Sequence, residues 1–287
     1  MEYEGQICRT PMERGAFMLP VSVGCSYNQC YFCMLFKHLR YRELPLEQIE
    51  GELQRVQRAG GNPERVFLGD GNAFHLSTER LLRILELVHR YFPACTGVNM
   101  DATVESILSK GDGELRALAQ AGVRHLYLGI ESGLDDVLRL MHKDHTLAQA
   151  YEAIGRLQAA GMVYDAHMMT GIAGQGRGEE NARAIAAFYN RTHPGRIVNF
   201  SLFIHRQSPL YRLVEEGRFR PADETENLQE ERLLLELLET PVEYDGFHDV
   251  IPFRVRGNLP GQREKMLRQL SAAIAVQETK APLVAVV

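Results

Sequence analysis

Cys25, Cys30 and Cys33 lie within nine positions of one another, inside the stretch VSVGCSYNQCYFCMLF at 21–36. A chain that places three of its five cysteines on one short loop must fold so that the loop can converge on a shared guest. Thiolate sulfur prefers soft centres, so zinc, copper(I) and an iron–sulfur cluster all suit this donor set. His38 follows Cys33 at a spacing that would complete a Cys3His zinc site, and spacing alone leaves zinc and iron–sulfur both open. Three unrelated small hydrophobes would be the plainer reading, and the clustering argues against it.

The setting follows from charge and patterning. A formal net charge of −5 over 287 residues gives no global footprint for nucleic acid or an anionic membrane surface. No run approaches the ~20 apolar residues of a membrane span. The opening stretch MEYEGQICRTPMERG lacks the apolar centre of a secretion signal, so a cytoplasmic location is expected. In that reducing compartment five cysteines do not read as a disulfide framework, which favours ligation. At 45% hydrophobic residues the chain can bury a substantial core, in one large domain or two small ones.

Along the chain, residues 1–15 read as a leader over the surface and Ala16–Val23 as a first strand, irregular at Pro20. A helix beginning near Pro45 carries Leu46, Ile49, Leu53 and Val56 on one face and ends at Gly60-Gly61. Strand 65–69 follows, then helix 78–91 capped by Ser77 or Thr78, strand 96–101, and helix 112–121, opening at Asp112 and stopped by Gly122. Strand 124–130 leads to a helix opening at Thr146, where Thr146 and Gln149 have capping-box spacing, with Gly161 closing it. Strand 163–170, helix 179–191 and strand 197–204 complete the run. Strands alternating with helices at this pitch predict right-handed βα units and a parallel sheet, doubly wound or curled into a barrel.

Glycines mark the working end of that sheet. The segments leaving successive strands read GC at 24–25, GDGN at 69–72, GIESG at 129–133 and TGIAG at 170–174. Glycine allows a sharp turn and close backbone approach to a ligand, and α/β sheets bind at the carboxyl ends of their strands. Any one of these glycines could simply punctuate a loop. Four sets at the same end, beside the cysteine loop, point to a shared site.

These residues together resemble the radical S-adenosylmethionine (SAM) superfamily over about residues 16–210. Within it the chain looks most like compact members related to the cores of oxygen-independent coproporphyrinogen dehydrogenase and elongator-type enzymes. Four residues separate Cys25 from Cys30, where the family's commonest motif has three; Phe32, an aromatic before the third cysteine, matches. The resemblance implies an α/β fold, a partial (β/α)6 barrel, with a C-terminal helical and loop extension over its open side. It divides the chain into a leader at 1–15, the barrel at 16–210 and the extension at 211–287. It implies one [4Fe–4S] cluster on Cys25, Cys30 and Cys33, whose fourth iron takes the amino and carboxylate groups of SAM. SAM would then be cleaved reductively to methionine and a 5′-deoxyadenosyl radical that abstracts a substrate hydrogen. Phe32 would lie near the adenine, and Gly69, Asp70 and Gly71 would meet the methionine amino group. Glu131 and Ser132 would reach the ribose or the methionine end, and Gly171 and Ile172 the adenine edge. Capping of a following helix is the structural alternative for Asp70 and Ser132.

Among the remaining groups, His167 falls in the strand register where related enzymes place a polar SAM or substrate contact, although a lone strand histidine is more often a core residue. Tyr27 would hydrogen-bond near the cluster or pack over it, and His75 would face the same mouth. Arg206 suits a substrate or SAM carboxylate, or a surface ion pair. The run His142-Lys143-Asp144-His145 reads as a solvated loop. Residues 223–240 read as an acidic amphipathic helix, 244–260 as a strand or loop bringing Asp249, Arg254 and Arg256 near the mouth, and 261–278 as a last helix; the tail APLVAVV would dock on a partner or another subunit. Cys8 and Cys95 are too few for a second cluster. The expected partners are a small-molecule substrate and an external electron donor of flavodoxin or ferredoxin type, with no membrane and no general nucleic-acid binding. The alternatives are a zinc-stabilised α/β binding protein using Cys25, Cys30, Cys33 and His38, or a cluster-bearing cofactor or haem carrier without SAM cleavage.

Overall fold

The computed structural model describes residues 3–5 and 7–287, so residues 1, 2 and 6 of the expected leader lie outside the described residues. Its strands are β1 (Phe17–Pro20), β2 (Ser22–Val23), β3 (Arg42–Glu43), β4 (Arg65–Gly69), β5 (Gly97–Ala102), β6 (Val123–Glu131), β7 (Val163–Thr170), β8 (Arg196–Ser201), β9 (Val242–His248) and β10 (Phe253–Leu259). The helices are α1 (Leu46–Arg58), α2 (Thr78–Tyr91), α3 (Val104–Leu108), α4 (Asp112–Gln120), α5 (Asp135–Leu140), α6 (Leu147–Ala159), α7 (Gly178–Thr192), α8 (Pro209–Glu215), α9 (Glu224–Leu237) and α10 (Arg263–Glu278). The result is an α/β fold with a mostly parallel eight-stranded sheet. Segments 1–28, 35–128 and 152–164 form one compact unit, and 29–34, 129–151 and 165–287 a second.

In the first unit β4 pairs in parallel with β1 and β5, and β5 with β6. Val66, Phe67 and Leu68 of β4 are fully buried, the continuous apolar run of a strand covered on both faces. The predicted first strand is broken in two. Pro20 has no N–H to continue a ladder, Val21 N–H turns to the Gly69 carbonyl, and Ser22–Val23 pairs instead with Arg42–Glu43. Ser77 caps α2 by accepting from Arg80 N–H, as its position predicts. In the second unit Thr146 and Gln149 make the expected reciprocal box: Thr146 N–H donates to Gln149 Oε1 and Gln149 N–H to Thr146 Oγ1. The leader is more than a surface strap. Glu13 is 0% exposed and accepts from Asn99 Nδ2 at 2.9 Å and Tyr127 OH at 2.7 Å.

In the second unit β7 pairs with β8 and β8 with β9, both in parallel, and β10 returns antiparallel to β9. The segment read as one strand or loop at 244–260 is therefore a hairpin that extends the sheet. The tail pairs through its backbone with its own chain, Ile204 N–H donating to the Ala285 carbonyl and Val287 N–H to that of Ile204. Helix α9 buries Glu224, Glu230 and Glu231 beside its leucines while Glu236 stays exposed, so the acidic residues of the expected amphipathic helix are divided between core and surface. Burying a carboxylate demands compensating donors. Tyr244 OH and Asn199 Nδ2 supply them to Glu231, and Gly171 N–H and Asn181 Nδ2 to Glu230. Among the described residues no helix is long and apolar enough to cross a membrane.

His248 sits between two of these carboxylates, with Nδ1 2.5 Å from Glu224 Oε2 and Nε2 3.2 Å from Glu231 Oε2. Burial works against a charged ring, but the two hydrogen bonds and their charges outweigh it and hold His248 up at about 9. Burial also pushes Glu230 up to about 8, against its bonds from Gly171 and Asn181. A histidine held above its unfolded value stabilises the fold fully below pH ~6.5 and loses that contribution as pH rises through about 9. Glu230 acts in the same direction, its contribution shrinking between pH ~4.5 and about 8. The melting temperature is expected to fall steadily from pH 6.5 to 9.5 in calorimetric scans, and His248→Gln should flatten the upper part of that fall. A melting temperature that rises over this range would contradict the assignment.

Candidate functional site

In the first unit the chain leaves β1 through buried Val21–Gly24 and enters the cysteine loop at half-buried Cys25. The turn after β4 lies against it. Gly71 has φ +42°, and a Cβ there would sit 2.8 Å from Cys25 Cα and from the Gly24 carbonyl, so both conformation and space require glycine. Asp70, 1% exposed, accepts from Gly71 N–H at 3.0 Å and from Tyr3 OH at 2.5 Å. Burial raises its carboxyl, and hydrogen bonds from Tyr3, Gly71, Cys8 and Gly24 pull it back. Asn72 ties the same turn outward: its Nδ2 donates to Ser26 Oγ at 3.0 Å and to Thr103 Oγ1 at 3.2 Å. Burial, then the charges of Asp70 and Glu13, push Asp101 at the end of β5 up to about 8. Tyr27 is half-buried, His38 is exposed, and His75 packs edge-on to Tyr41 with ring centroids 5.8 Å apart.

In the second unit the rest of the loop is clamped through its backbone. Tyr31 N–H donates to the Met141 carbonyl at 3.0 Å, and Leu210 N–H to the Tyr31 carbonyl at 3.1 Å. The Tyr31 ring stacks on His142 at 5.1 Å. Cys30 and Cys33 are half-buried on either side of this clamp. Phe32 lies under the ammonium of Lys143, 5.9 Å from ring centroid to Nζ. Lys143 is no solvated residue: its side chain is 7% exposed and its Nζ is 3.2 Å from Glu131 Oε1. Burial alone would lower its ammonium, but the charges of Cys30, Glu131 and Asp144 hold it well above the ordinary lysine value. The neighbouring His145 is buried too, its Nδ1 2.8 Å from Asp144 Oδ1. The apolar flanks Leu140, Met141 and Leu147 were the one sequence signal that this polar run is drawn inward.

The GIESG turn is explained atom by atom. A Cβ on Gly129 would fall 2.3 Å from Glu131 Oε1 and 3.0 Å from Lys143 Nζ, so glycine makes room for the ion pair. Glu131 has φ +64°, a conformation few non-glycine residues adopt. Ser132 Oγ donates to Asn181 Oδ1 at 2.6 Å. After β7, Gly171 at φ +81° leaves space that Asn227 fills and donates its N–H to Glu230 Oε2 at 2.8 Å. Ile172 is buried in the cluster formed by Met141, Met169, Leu202 and Leu210. His167 is half-buried, edge-on to Phe200 at 6.0 Å, and burial together with the Lys143 charge lowers it to about 4. Arg206 is exposed, donating to Tyr211 OH at 3.2 Å and standing over that ring.

The expected residues thus fall into two groups, each described within its own unit: Cys25, Tyr27, Gly69, Asp70 and Gly71 in the first, and Cys30, Phe32, Cys33, Glu131, Ser132, His167, Gly171, Ile172 and Arg206 in the second. In the second unit the half-buried thiols of Cys30 and Cys33, with a buried ammonium beside Cys30 to favour thiolate, suit a soft guest such as an iron–sulfur cluster. As the side chains stand, no three His, Cys, Asp or Glu groups among the described residues gather at single-metal-ion spacing, the Cys3His set with His38 included. Lys143, Asn181, Asn72 and Glu230 were missed from sequence; the partners of Asn181 and Glu230 stand 48 to 59 positions away, leaving no local signal.

The radical SAM superfamily family model matches residues 19–185, more than half of the chain. The chain belongs to the radical SAM superfamily. Radical SAM proteins bind a [4Fe–4S] cluster and SAM, and membership carries both cofactors with it. The chain is similar to tRNA-2-methylthio-N(6)-dimethylallyladenosine synthase from Chlorobium phaeobacteroides (strain BS1), 25% identical over 162 residues, 55% of this chain and 36% of that protein. It is similar to the heme chaperone HemW of Bacillus subtilis (strain 168), 21% identical over 227 residues, 76% of this chain and 58% of that one. It therefore spans from about a third to about three-fifths of the length of these curated relatives. Among solved structures, archaeal Methanocaldococcus infernus Elp3 with an N-terminal deletion superposes with a TM-score of 0.58 at 14% identity, covering 95% of this chain and 65% of that one. At that identity the likeness is one of fold, and it agrees with the partial (β/α)6 barrel expected for a radical SAM protein.

Proposed function

We propose that the chain is a radical SAM enzyme acting by hydrogen abstraction on a small-molecule substrate. The carrying observation is the family match across 19–185, which takes in Cys25, Cys30, Cys33, Gly69-Asp70-Gly71, Glu131-Ser132 and Gly171-Ile172 in one span. When bound, the [4Fe–4S] cluster and SAM supply reductive cleavage of the sulfonium and a 5′-deoxyadenosyl radical. Cys25, Cys30 and Cys33 are the cluster ligands. Lys143 places a fixed positive charge beside Cys30, favouring its thiolate and suiting the SAM carboxylate. Asp70, with Gly69 and Gly71, presents a buried acceptor for the methionine ammonium. Glu131 and Ser132 orient the ribose or methionine end, and Phe32, Gly171 and Ile172 pack against the adenine. His167, lowered to about 4 and so neutral at pH 7, serves as an uncharged hydrogen-bonding group toward SAM or substrate. Tyr27 and Arg206 complete the substrate side. A flavodoxin- or ferredoxin-type donor supplies the electron, and the cytoplasm is the compartment that suits such a partner.

The similarity to a heme chaperone over 76% of the chain favours a second reading, a cluster-bearing haem carrier. One experiment separates the two. The full chain is reconstituted anaerobically with iron and sulfide, reduced with dithionite in the presence of SAM, and assayed for 5′-deoxyadenosine by mass spectrometry. Its formation is expected. A cluster without deoxyadenosine, combined with tight hemin binding, would favour the carrier, and a colourless protein that takes up zinc instead of iron would sink both.

A further inference from the structure

Two turns carry the proposed SAM contacts of the second unit, and they belong to different strands. Ser132 follows β6 and Gly171 follows β7, and both turns pass through the left-handed region, at Glu131 and at Gly171. Glu131, not being glycine, holds that conformation only where its surroundings over-determine it, and Gly171, which adopts it freely, needs neighbours to fix one shape. A continuous buried relay of side chains does so here.

Ser132 Oγ and Gly133 N–H both donate to Asn181 Oδ1, at 2.6 and 3.3 Å. Asn181 Nδ2 donates to Glu230 Oε1 at 2.7 Å, and Gly171 N–H donates to Glu230 Oε2 at 2.8 Å. Ser132, Asn181 and Glu230 are almost wholly excluded from solvent, so no water substitutes for a lost partner. Main-chain donors stand at both ends, at Gly133 and Gly171. The amide of Asn181 is therefore oriented without freedom: its oxygen faces the β6 turn and its NH2 faces Glu230. Close packing leaves little slack, since a Cβ on Gly178 would lie 3.2 Å from Glu230 Cβ.

We propose that Asn181 and Glu230, on α7 and α9, are positioning residues that couple the turns after β6 and β7 into one preformed SAM-binding edge; this rests on the proposed role of Ser132 and Gly171 toward SAM. Neither touches the cofactor. They act by fixing where Ser132 and the Gly171-Ile172 backbone stand before SAM arrives.

The chemistry of the relay supplies its own test. In Glu230→Gln the new NH2 faces the NH2 of Asn181, a donor against a donor, unless one amide flips and abandons a main-chain N–H. Exchanging the two chemistries, Glu230→Gln with Asn181→Asp, restores every bond: Gln Oε1 accepts from Gly171, Gln Nε2 donates to Asp, and Asp accepts from Ser132 and Gly133. The full chain carrying its reconstituted cluster is titrated with SAM by anaerobic calorimetry, with iron content, visible spectrum and amide exchange at Gly133 and Gly171 read without SAM. Glu230→Gln is expected to weaken SAM binding about tenfold, with faster exchange at both amides and an unchanged cluster spectrum, and the exchanged pair to return within about twofold of wild type. An equal affinity in Glu230→Gln, or an exchanged pair as weak as the single variant, overturns the relay. If Glu230→Gln fails to take up its cluster, the exchanged pair decides alone: affinity within about twofold of wild type supports the relay, and a tenfold loss overturns it. A cluster-loaded wild type that binds no SAM sinks the SAM reading and this inference together, and is distinct from a wild type that binds SAM no better than its variant.

Discussion

Cys30→Ala is expected to abolish cluster binding and, with it, formation of 5′-deoxyadenosine above background. An iron–sulfur cluster is held by thiolates, and the loop offers only Cys25, Cys30 and Cys33. With one removed, two ligands remain on a loop whose backbone is already clamped at Tyr31 by Met141 and Leu210. The substitution also takes away one of the charges that holds the Lys143 ammonium in a buried position, which leaves that cation supported by Glu131 and Asp144. Cys95→Ala is the control: Cys95 is buried and donates to the Gly97 carbonyl at 3.5 Å, away from the loop in sequence and in bonding. It should keep full iron and brown colour after reconstitution. Iron and sulfide analysis of the two variants checks the assignment, and retention of full iron by Cys30→Ala would remove that residue from the ligand set.

Gly133→Ala is expected to produce the largest loss of stability among the substitutions considered. A Cβ at this position would lie 2.4 Å from the Ala184 carbonyl carbon and from Ile185 N, both main-chain atoms of α7. A flexible side chain could move aside at small cost, whereas helix backbone cannot without shifting the whole element. Overpacking of this kind costs typically up to about 3 kcal/mol, and a clash with main chain belongs at the upper end. A loss of that size lowers the melting temperature by roughly 6–12 °C in a chain of this class. Gly155→Ala gives the opposite sign. It stands within α6 with open space around its Cβ position, so alanine should stabilise by roughly 0.5–1 kcal/mol through helix propensity alone. Thermal melts of the pair would show whether the effect at Gly133 is steric; equal, small shifts in both would refute the packing argument.

The glycine at 133 illustrates how far local pattern reaches. From sequence, GIESG and TGIAG read as strand exits at the carboxyl end of a sheet, and that is where the chain places them. The reason for each glycine was out of reach. Gly129 clears space for Glu131 and Lys143, Gly133 for α7, and Gly171 for Asn227, and every one of those neighbours except Glu131 lies outside its motif. Lys143 shows the same limit from the other side. Four consecutive polar residues ordinarily mark a solvated loop. Here Glu131 and Cys30 provide opposite charge, and the buried ammonium becomes more stable paired inside than its composition implied.

The acidic helix α9 makes the point with energies of larger scale. The sequence reads as an acidic amphipathic helix, and an ionised carboxylate without partners is expensive to bury. Only the assembled second unit brings His248, Tyr244, Asn199, Asn181 and the Gly171 N–H to those oxygens. The hairpin β9–β10 was equally hidden, because residues 244–260 carry no turn signature as plain as the glycine exits upstream.

What the sequence by itself determined is the cysteine loop, the alternation of strands and helices through β8, the capping of α2 and α6, and the strand ends that carry the family's motifs. These depend on residue type at short spacing, where period and turn chemistry act directly on the backbone. What only the tertiary structure decided is which polar groups are buried together: Glu13 with Asn99 and Tyr127, Lys143 with Glu131, His248 with two glutamates, and the Ser132–Asn181–Glu230–Gly171 relay. Their partners stand far apart in sequence, and burial energies are set by the complete set of donors and charges around each group, which exists only once the chain has folded.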